Sequence, residues 1–146
     1  MLRGNSPAKV DGKGRIKVPS VFRRHLEGKF GRECFVTSLT GDFVRVYPMP
    51  IWLEIEKKIA ALPSMNPTIT RFLNLVNYYG QVTSMDDQGR LLIHPLLRQK
   101  SGLNGAVAVL GNQTYLDIWN REKFEAMLAA QPLSDEDRQI LSSLGI

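Results

Sequence analysis

The 146-residue chain holds one cysteine, Cys34, and two histidines, His25 and His94. One cysteine excludes an internal disulfide, and three such residues so far apart offer no metal-ligand spacing. No apolar run approaches the ~20 residues that span a bilayer; Val107-Ala108-Val109-Leu110 typifies the short bursts present. Met1-Leu2-Arg3-Gly4-Asn5 lacks a signal-peptide core. The expectation is a cytoplasmic protein with no membrane partner, metal or cofactor. Also missing are a Gly-rich phosphate motif and a histidine beside a nucleophile, so the sequence argues against an enzyme. Asp86-Asp87 falls in a hairpin turn, where turn preference accounts for both acids. Cys34 reads as a buried strand residue.

What the chain does have is a polarised charge. The net is +5, yet residues 1–25 hold Arg3, Lys9, Lys13, Arg15, Lys17, Arg23 and Arg24 against Asp11 alone, a local net of +6. The rest therefore sums to −1. A basic segment on a globular chain attracts polyanions, and counterion release from a phosphate backbone drives sequence-independent nucleic-acid affinity. Arg3, Lys9, Lys13 and Lys17 are thus candidate DNA contacts, with a merely solvated basic surface as the bland alternative.

A repeat organises the chain. Asp11-Gly12-Lys13-Gly14-Arg15-Ile16-Lys17-Val18 aligns with Asp86-Asp87-Gln88-Gly89-Arg90-Leu91-Leu92-Ile93 at an offset of 75 residues. Phe22-Arg23 matches Leu97-Arg98, and Val44 to Tyr47 match Leu116 to Trp119 after a three-residue drift. The chain reads as a tandem duplication: a first module at 1–64, a connecting helix at 65–80, a second module at 81–131 and a tail at 132–146.

Local rules give each module one plan. Strands at 7–10 and 15–19 flank the first loop, Ser20 caps a short helix through Leu26, and strands follow at 34–39 and 43–47. Ile51, Ile55, Ile59 and Leu62 recur at helical spacing up to Pro63, and Asn66-Pro67 opens the connecting helix with Ile69, Phe72, Leu73 and Val76 inward. In the second module, strands at 81–85 and 90–93 precede a helix over 96–100, then strands at 106–110 and 115–119. Asn120 caps a helix with Phe124, Met127 and Leu128 inward, and Ser134 to Asp137 begin a last short helix or frayed tail. Four short strands in ~45 residues cannot enclose a core alone, so the modules should interlock.

The loop Asp-x-x-Gly-Arg carries the functional expectation. Gly14 and Gly89 permit positive φ, Arg15 and Arg90 leave the turn with outward side chains, and Asp11 and Asp86 can orient them. A held guanidinium fork can read the O6 and N7 edge of guanine. A surface Asp–Arg pair that merely stabilises a hairpin is the competing reading; recurrence in both repeats favours function. The first loop carries +1 and the second −1, so the N-terminal repeat is expected to dominate affinity.

Arg3-Gly4-Asn5, the Asp11 to Arg15 loop, Val18-Pro19, Phe22-Arg23, Tyr47-Pro48, Trp52, the Asp86 to Arg90 loop, Leu103 and Ile118-Trp119 together resemble the MraZ family, from Met1 to about Leu128. The resemblance implies a mainly β fold with short helices, in which two AbrB-type swapped-hairpin modules form a pseudo-symmetric barrel. It further implies a transcriptional regulator on the nucleoid, assembled as a homo-oligomeric ring. Its partner would be double-stranded DNA, at repeated boxes upstream of the division and cell-wall gene cluster. The family's DNA-contacting loop arginines map onto Arg15 and Arg90. His94 stands where the first repeat has Pro19, a packing substitution rather than a ligand. The tail from Leu133 to Ile146 matches no feature of the family.

Oligomerisation and repeated boxes fit one another physically, because one loop contacts few bases and linkage multiplies weak contacts. Two alternatives stand beside this reading: a swapped-hairpin antitoxin with a toxin-neutralising extension, and an oligomeric scaffold with a basic rim that binds no DNA.

Overall fold

Among the described residues, four of the seven strand pairings join one repeat to the other. The computed structural model describes residues 1–63 and 65–146; residue 64, where the first module is expected to end, lies outside the described residues. The first repeat contributes β1 (Leu2–Val10), β2 (Arg15–Lys17), α1 (Ser20–Phe30), β3 (Glu33–Thr37), β4 (Val44–Pro48) and α2 (Met49–Ala60). After α3 (Pro67–Tyr78) come β5 (Gln81–Ser84), β6 (Arg90–Leu92), α4 (Pro95–Ser101), β7 (Gly105–Gln113), β8 (Tyr115–Asn120), α5 (Arg121–Ala130) and α6 (Asp135–Ser143). The strands form one antiparallel sheet in the order β5-β3-β4-β8-β7-β1-β2-β6, curled into a nearly closed barrel with six short helices around it. This is the tandem AbrB-like barrel that the sequence leads one to expect. Among the described residues no helix is long and apolar enough to cross a membrane.

Two registers reveal a pseudo-two-fold axis. In β2–β6, Ile16 faces Leu91, Arg15 faces Leu92 and Lys17 faces Arg90. Ile16 and Leu91 are equivalent in the repeat, so the pairing is symmetric about them. In β4–β8, Arg45 faces Asp117, again two equivalent positions. The interior is correspondingly shared: Ile16, Leu26 and Val44 from one repeat meet Leu91, Ile93 and Leu116 from the other, all at most 1% exposed. Burying each such side chain stabilises by ~1.5–3 kcal/mol, which neither half could gain alone. Cys34 is in this core, and burial pushes its thiol up to about 12.

Several local expectations change in context. β1 begins at Leu2 rather than at residue 7, because it pairs residue by residue with β7 from Leu2–Gln113 to Val10–Gly105. That ladder outweighs the poor strand propensity of Gly4-Asn5-Ser6. Pro7 is tolerated because β1 meets β2 only at Val10–Ile16, leaving its other edge without a ladder there. Ser20 is not a cap: Pro19 holds that position without a side-chain bond. The helix runs past Leu26 to Phe30, since Phe22, Leu26 and Phe30 form one stripe on the core. The Asn caps are as expected, Asn66 accepting from the Thr68 N–H and Asn120 from the Lys123 N–H.

Outside the barrel, α2 and α3 cover β3 through an aromatic cluster. Phe35 stacks on Trp52 at 4.5 Å between centroids, Trp52 meets Phe72, and Thr37 Oγ1 donates to the Val76 carbonyl at 2.6 Å. Trp52 is the buried anchor of α2, whereas Leu62 is exposed. In α5, Phe124 and Met127 are half-buried but Leu128 is 55% exposed, contrary to its inward assignment. Its helix faces a strand surface that carries Ala108 where the first repeat carries Phe35.

Candidate nucleic-acid interface

Each Asp-x-x-Gly-Arg loop is a closed hydrogen-bonded unit built around its aspartate. Asp11 Oδ1 accepts from the N–H groups of Lys13 and Arg15, both at 2.9 Å, while Oδ2 accepts from Arg15 Nε at 3.0 Å. Gly14 N donates to the Asp11 carbonyl and Asp11 N to the Arg15 carbonyl. The second loop repeats every bond: Asp86 Oδ1 accepts from Gln88 and Arg90 N–H groups, both at 2.9 Å, and Oδ2 from Arg90 Nε at 2.7 Å. Gly14 and Gly89 have φ of +78° and +75°, left-handed backbone that closes each turn. The bonds hold both carboxyls below the ordinary value of 3.8. For Asp86 the Arg90 N–H is the largest cause, with the Arg90 side chain adding to it, and the value falls to about 2. For Asp11 the Arg15 N–H leads.

This arrangement fixes how the guanidinium groups face outward. Nε is engaged by the aspartate, leaving the Nη1 and Nη2 ends of Arg15 and Arg90 without a hydrogen-bond partner among the described residues. Ile16 and Leu91 point inward, so Arg15, Lys17, Arg90 and Leu92 share the outer face of the β2–β6 pair. Arg15 and Arg90 are diagonal neighbours there, a separation of about 7–8 Å between backbones. The axis passes between them.

The other candidates are dispersed. Lys13 projects from the first loop and Lys17 from β2, both exposed, and Lys9 lines a shallow depression together with Lys17. Arg3 lies six residues back along β1 from Lys9, about 20 Å of strand at ~3.4 Å per residue, and is not brought to the loops. The second half of the face has Leu92, 49% exposed, where the first has Lys17.

Sequence reasoning missed a further pair of arginines. Arg23 and Arg98, equivalent in the repeat, cross over to the opposite loop. The Arg98 side chain lies against Gly14, and Arg23 Cδ would be 2.6 Å from a Cβ on Gly89. Arg23 Nη2 donates to the Asp87 carbonyl at 2.9 Å, and Arg32 Nη1 to Asp87 Oδ1 at 2.7 Å. The extra acid of the second loop is thereby neutralised from the first repeat, which narrows the charge difference between the loops. The matched Phe22-Arg23 and Leu97-Arg98 were the available signal, but their role depends on strand exchange. His94 caps α4 by position, and its Nε2 donates to the Tyr79 carbonyl at 2.8 Å, tying α4 to the end of α3.

Comparison with known proteins covers both loops and the barrel. The family model described as "MraZ protein, putative antitoxin-like" matches residues 1–75 and 81–141. The chain is 48% identical over 147 aligned positions to a protein of Koribacter versatilis named Transcriptional regulator MraZ, covering 100% of both. It is 42% identical over 146 residues to the protein of the same name from Acidobacterium capsulatum, again covering 100% of both, and 32% identical to that of Chromobacterium violaceum over 99% of this chain and 97% of the other. The likeness thus reaches beyond Leu128, where the sequence resemblance was expected to end, and takes in α6. With the paired loops, the shared barrel and the tail all inside the matched length, the chain belongs to the MraZ family.

Proposed function

We propose that the protein is a transcriptional regulator that binds double-stranded DNA in a sequence-specific way through the face shared by Arg15 and Arg90. The observation that carries this is the β2–β6 register, which sets two aspartate-held arginines side by side about a pseudo-two-fold axis. Duplex DNA has a local two-fold axis of its own, so one face can present equivalent forks to both strands of a major groove. Lys13, Lys17 and Lys9 supply phosphate contacts, and Asp11, Gly14, Asp86 and Gly89 hold the loops. The first repeat, with Lys13 and Lys17, contributes more of the affinity. The names of the relatives, each a transcriptional regulator, support the same reading.

In this reading the DNA is a set of repeated boxes upstream of the division and cell-wall gene cluster, including the protein's own gene, and a homo-oligomeric ring engages several boxes at once. Residues 1–64 and 81–131 act as modules, joined by 65–80. The test is binding to the upstream fragment against random DNA at ~150 mM salt, where weak electrostatic binding is screened. Native protein should prefer the upstream fragment. Arg15→Ala should lose that preference, and Lys13→Ala should only lower the salt slope by about 0.9. Equal binding of native protein to both fragments would contradict sequence-specific regulation.

A further inference from the structure

The two recognition loops match bond for bond, but their supports differ. Beside the second loop, Arg23 Nε donates to Glu27 Oε1 at 2.9 Å, and Nη2 reaches across the repeats to the Asp87 carbonyl, also at 2.9 Å. Arg32 links the two acids, with Nη1 2.7 Å from Asp87 Oδ1 and Nε 3.6 Å from Glu27 Oε1. The offset of 75 residues puts Arg98, Gly102 and Gly12 where this network has Arg23, Glu27 and Asp87. Arg32 lies opposite Met85 as Gly105 lies opposite Val10, so a third partner is replaced by glycine. With no acid to engage it, Arg98 turns Nε to the Ile93 carbonyl at 2.8 Å and forms no ion pair among the described residues.

The bond from Arg23 acts on the second loop at one peptide plane. The Asp87 carbonyl and the Gln88 N–H belong to the same planar unit, so holding one orients the other. That N–H donates to Asp86 Oδ1 at 2.9 Å, and Asp86 Oδ2 accepts from Arg90 Nε at 2.7 Å. Three hydrogen bonds in series thus join Arg23 to the Arg90 guanidinium. In the first loop the Lys13 N–H makes the same bond to Asp11, but the Gly12 carbonyl of that peptide accepts no hydrogen bond among the described residues. Glycine there leaves the peptide freer to rotate. Arg23 rather than Arg32 is the anchor: the Arg23 and Glu27 side chains are only 25% and 28% exposed, whereas Asp87, which Arg32 engages by its carboxylate, is 97% exposed and its pairing is screened by water.

We propose that Arg23 is a positioning residue for Arg90: the first repeat fixes the Asp87–Gln88 peptide of the second and, through Asp86, holds the Arg90 fork in one orientation. The inference rests on the base-reading role proposed for Arg90 and names what aims it. Arg15 is held by Asp11 without such an anchor, so its loop adjusts to the duplex while that of Arg90 meets it already set. A side chain ordered before binding has less freedom to lose on contact. The less positive loop therefore gains by rigidity what the first gains by charge.

The test titrates the upstream fragment and random DNA across a range of salt with native protein, Arg23→Gln, Arg23→Lys, Arg90→Lys and the double variant Arg23→Gln with Arg90→Lys. Arg23→Gln should lower discrimination about 3- to 10-fold, part of one fork's worth, at an unchanged salt slope. Arg23→Lys should do the same, because an ammonium lacks the fork that engages Glu27 and the Asp87 carbonyl together. On the Arg90→Lys background, Arg23→Gln should cause no further loss, since both act through one guanidinium. Hydrogen exchange reads the anchor without DNA. Residues 86–90 should be better protected than 11–15 in native protein, and Arg23→Gln should lower protection at 86–90 alone, whereas a general weakening of the barrel would lower both. A salt slope reduced by about 0.9 in Arg23→Gln and restored in Arg23→Lys would make Arg23 a phosphate contact and overturn the proposal. Full discrimination in Arg23→Gln, losses additive with Arg90→Lys, or unchanged protection at 86–90 would also overturn it and leave the DNA reading standing. If native protein does not discriminate between the fragments, both fall.

Discussion

Arg45 and Asp117 occupy the same position in the two repeats and face each other across the pseudo-two-fold axis, Nε to Oδ1 at 2.8 Å and Nη2 to Oδ2 at 3.1 Å. The Arg45 side chain is 15% exposed and that of Asp117 9%, and Asn112 Nδ2 also donates to Asp117 Oδ2. Burial works against the arginine's charge, but the bonds to Asp117 more than offset it and hold the guanidinium above its ordinary value. Duplication alone would have set identical charges against each other here. Divergence to opposite charges makes the two halves of one chain each other's preferred partners. Two first repeats paired with each other would bring Arg45 against Arg45.

Removing one partner leaves a largely buried charge, so Asp117→Ala should destabilise by about 3–5 kcal/mol. For a chain of this size that lowers Tm by on the order of 10 °C. Asp117→Arg should be worse, and Arg45→Asp combined with Asp117→Arg should recover much of the loss. Calorimetry of the native protein, Asp117→Ala, Arg45→Asp, Asp117→Arg and the double variant checks this; a double variant no better than either single charge reversal would refute the axial pairing.

Gly14→Ala should cost about 1–2 kcal/mol for a left-handed φ that alanine adopts poorly, and should displace the Arg98 side chain lying against that loop. Gly14→Asn should cost less, since asparagine tolerates this region. Chemical denaturation measures both. Equal cost for the two substitutions would assign the loss to crowding by Arg98 instead.

The loops also carry a pH signature. Asp86 binds its proton less readily in the folded protein than in the unfolded chain, because the Arg90 N–H and side chain hold the carboxylate. A depressed folded value means that the loop's stabilisation is complete above the ordinary value of 3.8 and disappears as pH falls through about 2. The carboxyl chemical shift of Asp86 should titrate with a midpoint of about 2, and Arg90→Ala should raise it. A native midpoint near the ordinary value would mean that the loop is open in solution.

How much of this was legible in the sequence depended on the range of the forces involved. The two loops, the Asn66 and Asn120 caps and the buried Cys34 follow from residues within a few positions of one another, and the repeat itself announced interlocked modules. What escaped depended on partners far along the chain. Gly4-Asn5-Ser6 is strand only because β7 lies beside it. Arg23 and Arg98 reach loops of the opposite repeat, and Arg32 pairs with Asp87 across 55 residues. Leu128 has helical spacing appropriate to a core position, but whether that position is filled depends on Ala108, on another strand.

The central claim, that Arg15 and Arg90 read bases while the lysines hold phosphates, is tested most directly by Arg15→Lys and Arg90→Lys. Lysine keeps the charge and gives up the fork. Titrations of the upstream fragment and of random DNA across a range of salt should show unchanged salt slopes, unchanged affinity for random DNA, and discrimination lowered about 10- to 100-fold per fork, as expected for ~1–3 kcal/mol per bidentate contact. Lysine variants that keep full preference for the upstream fragment would contradict the account, leaving the aspartate-held arginines as hairpin supports.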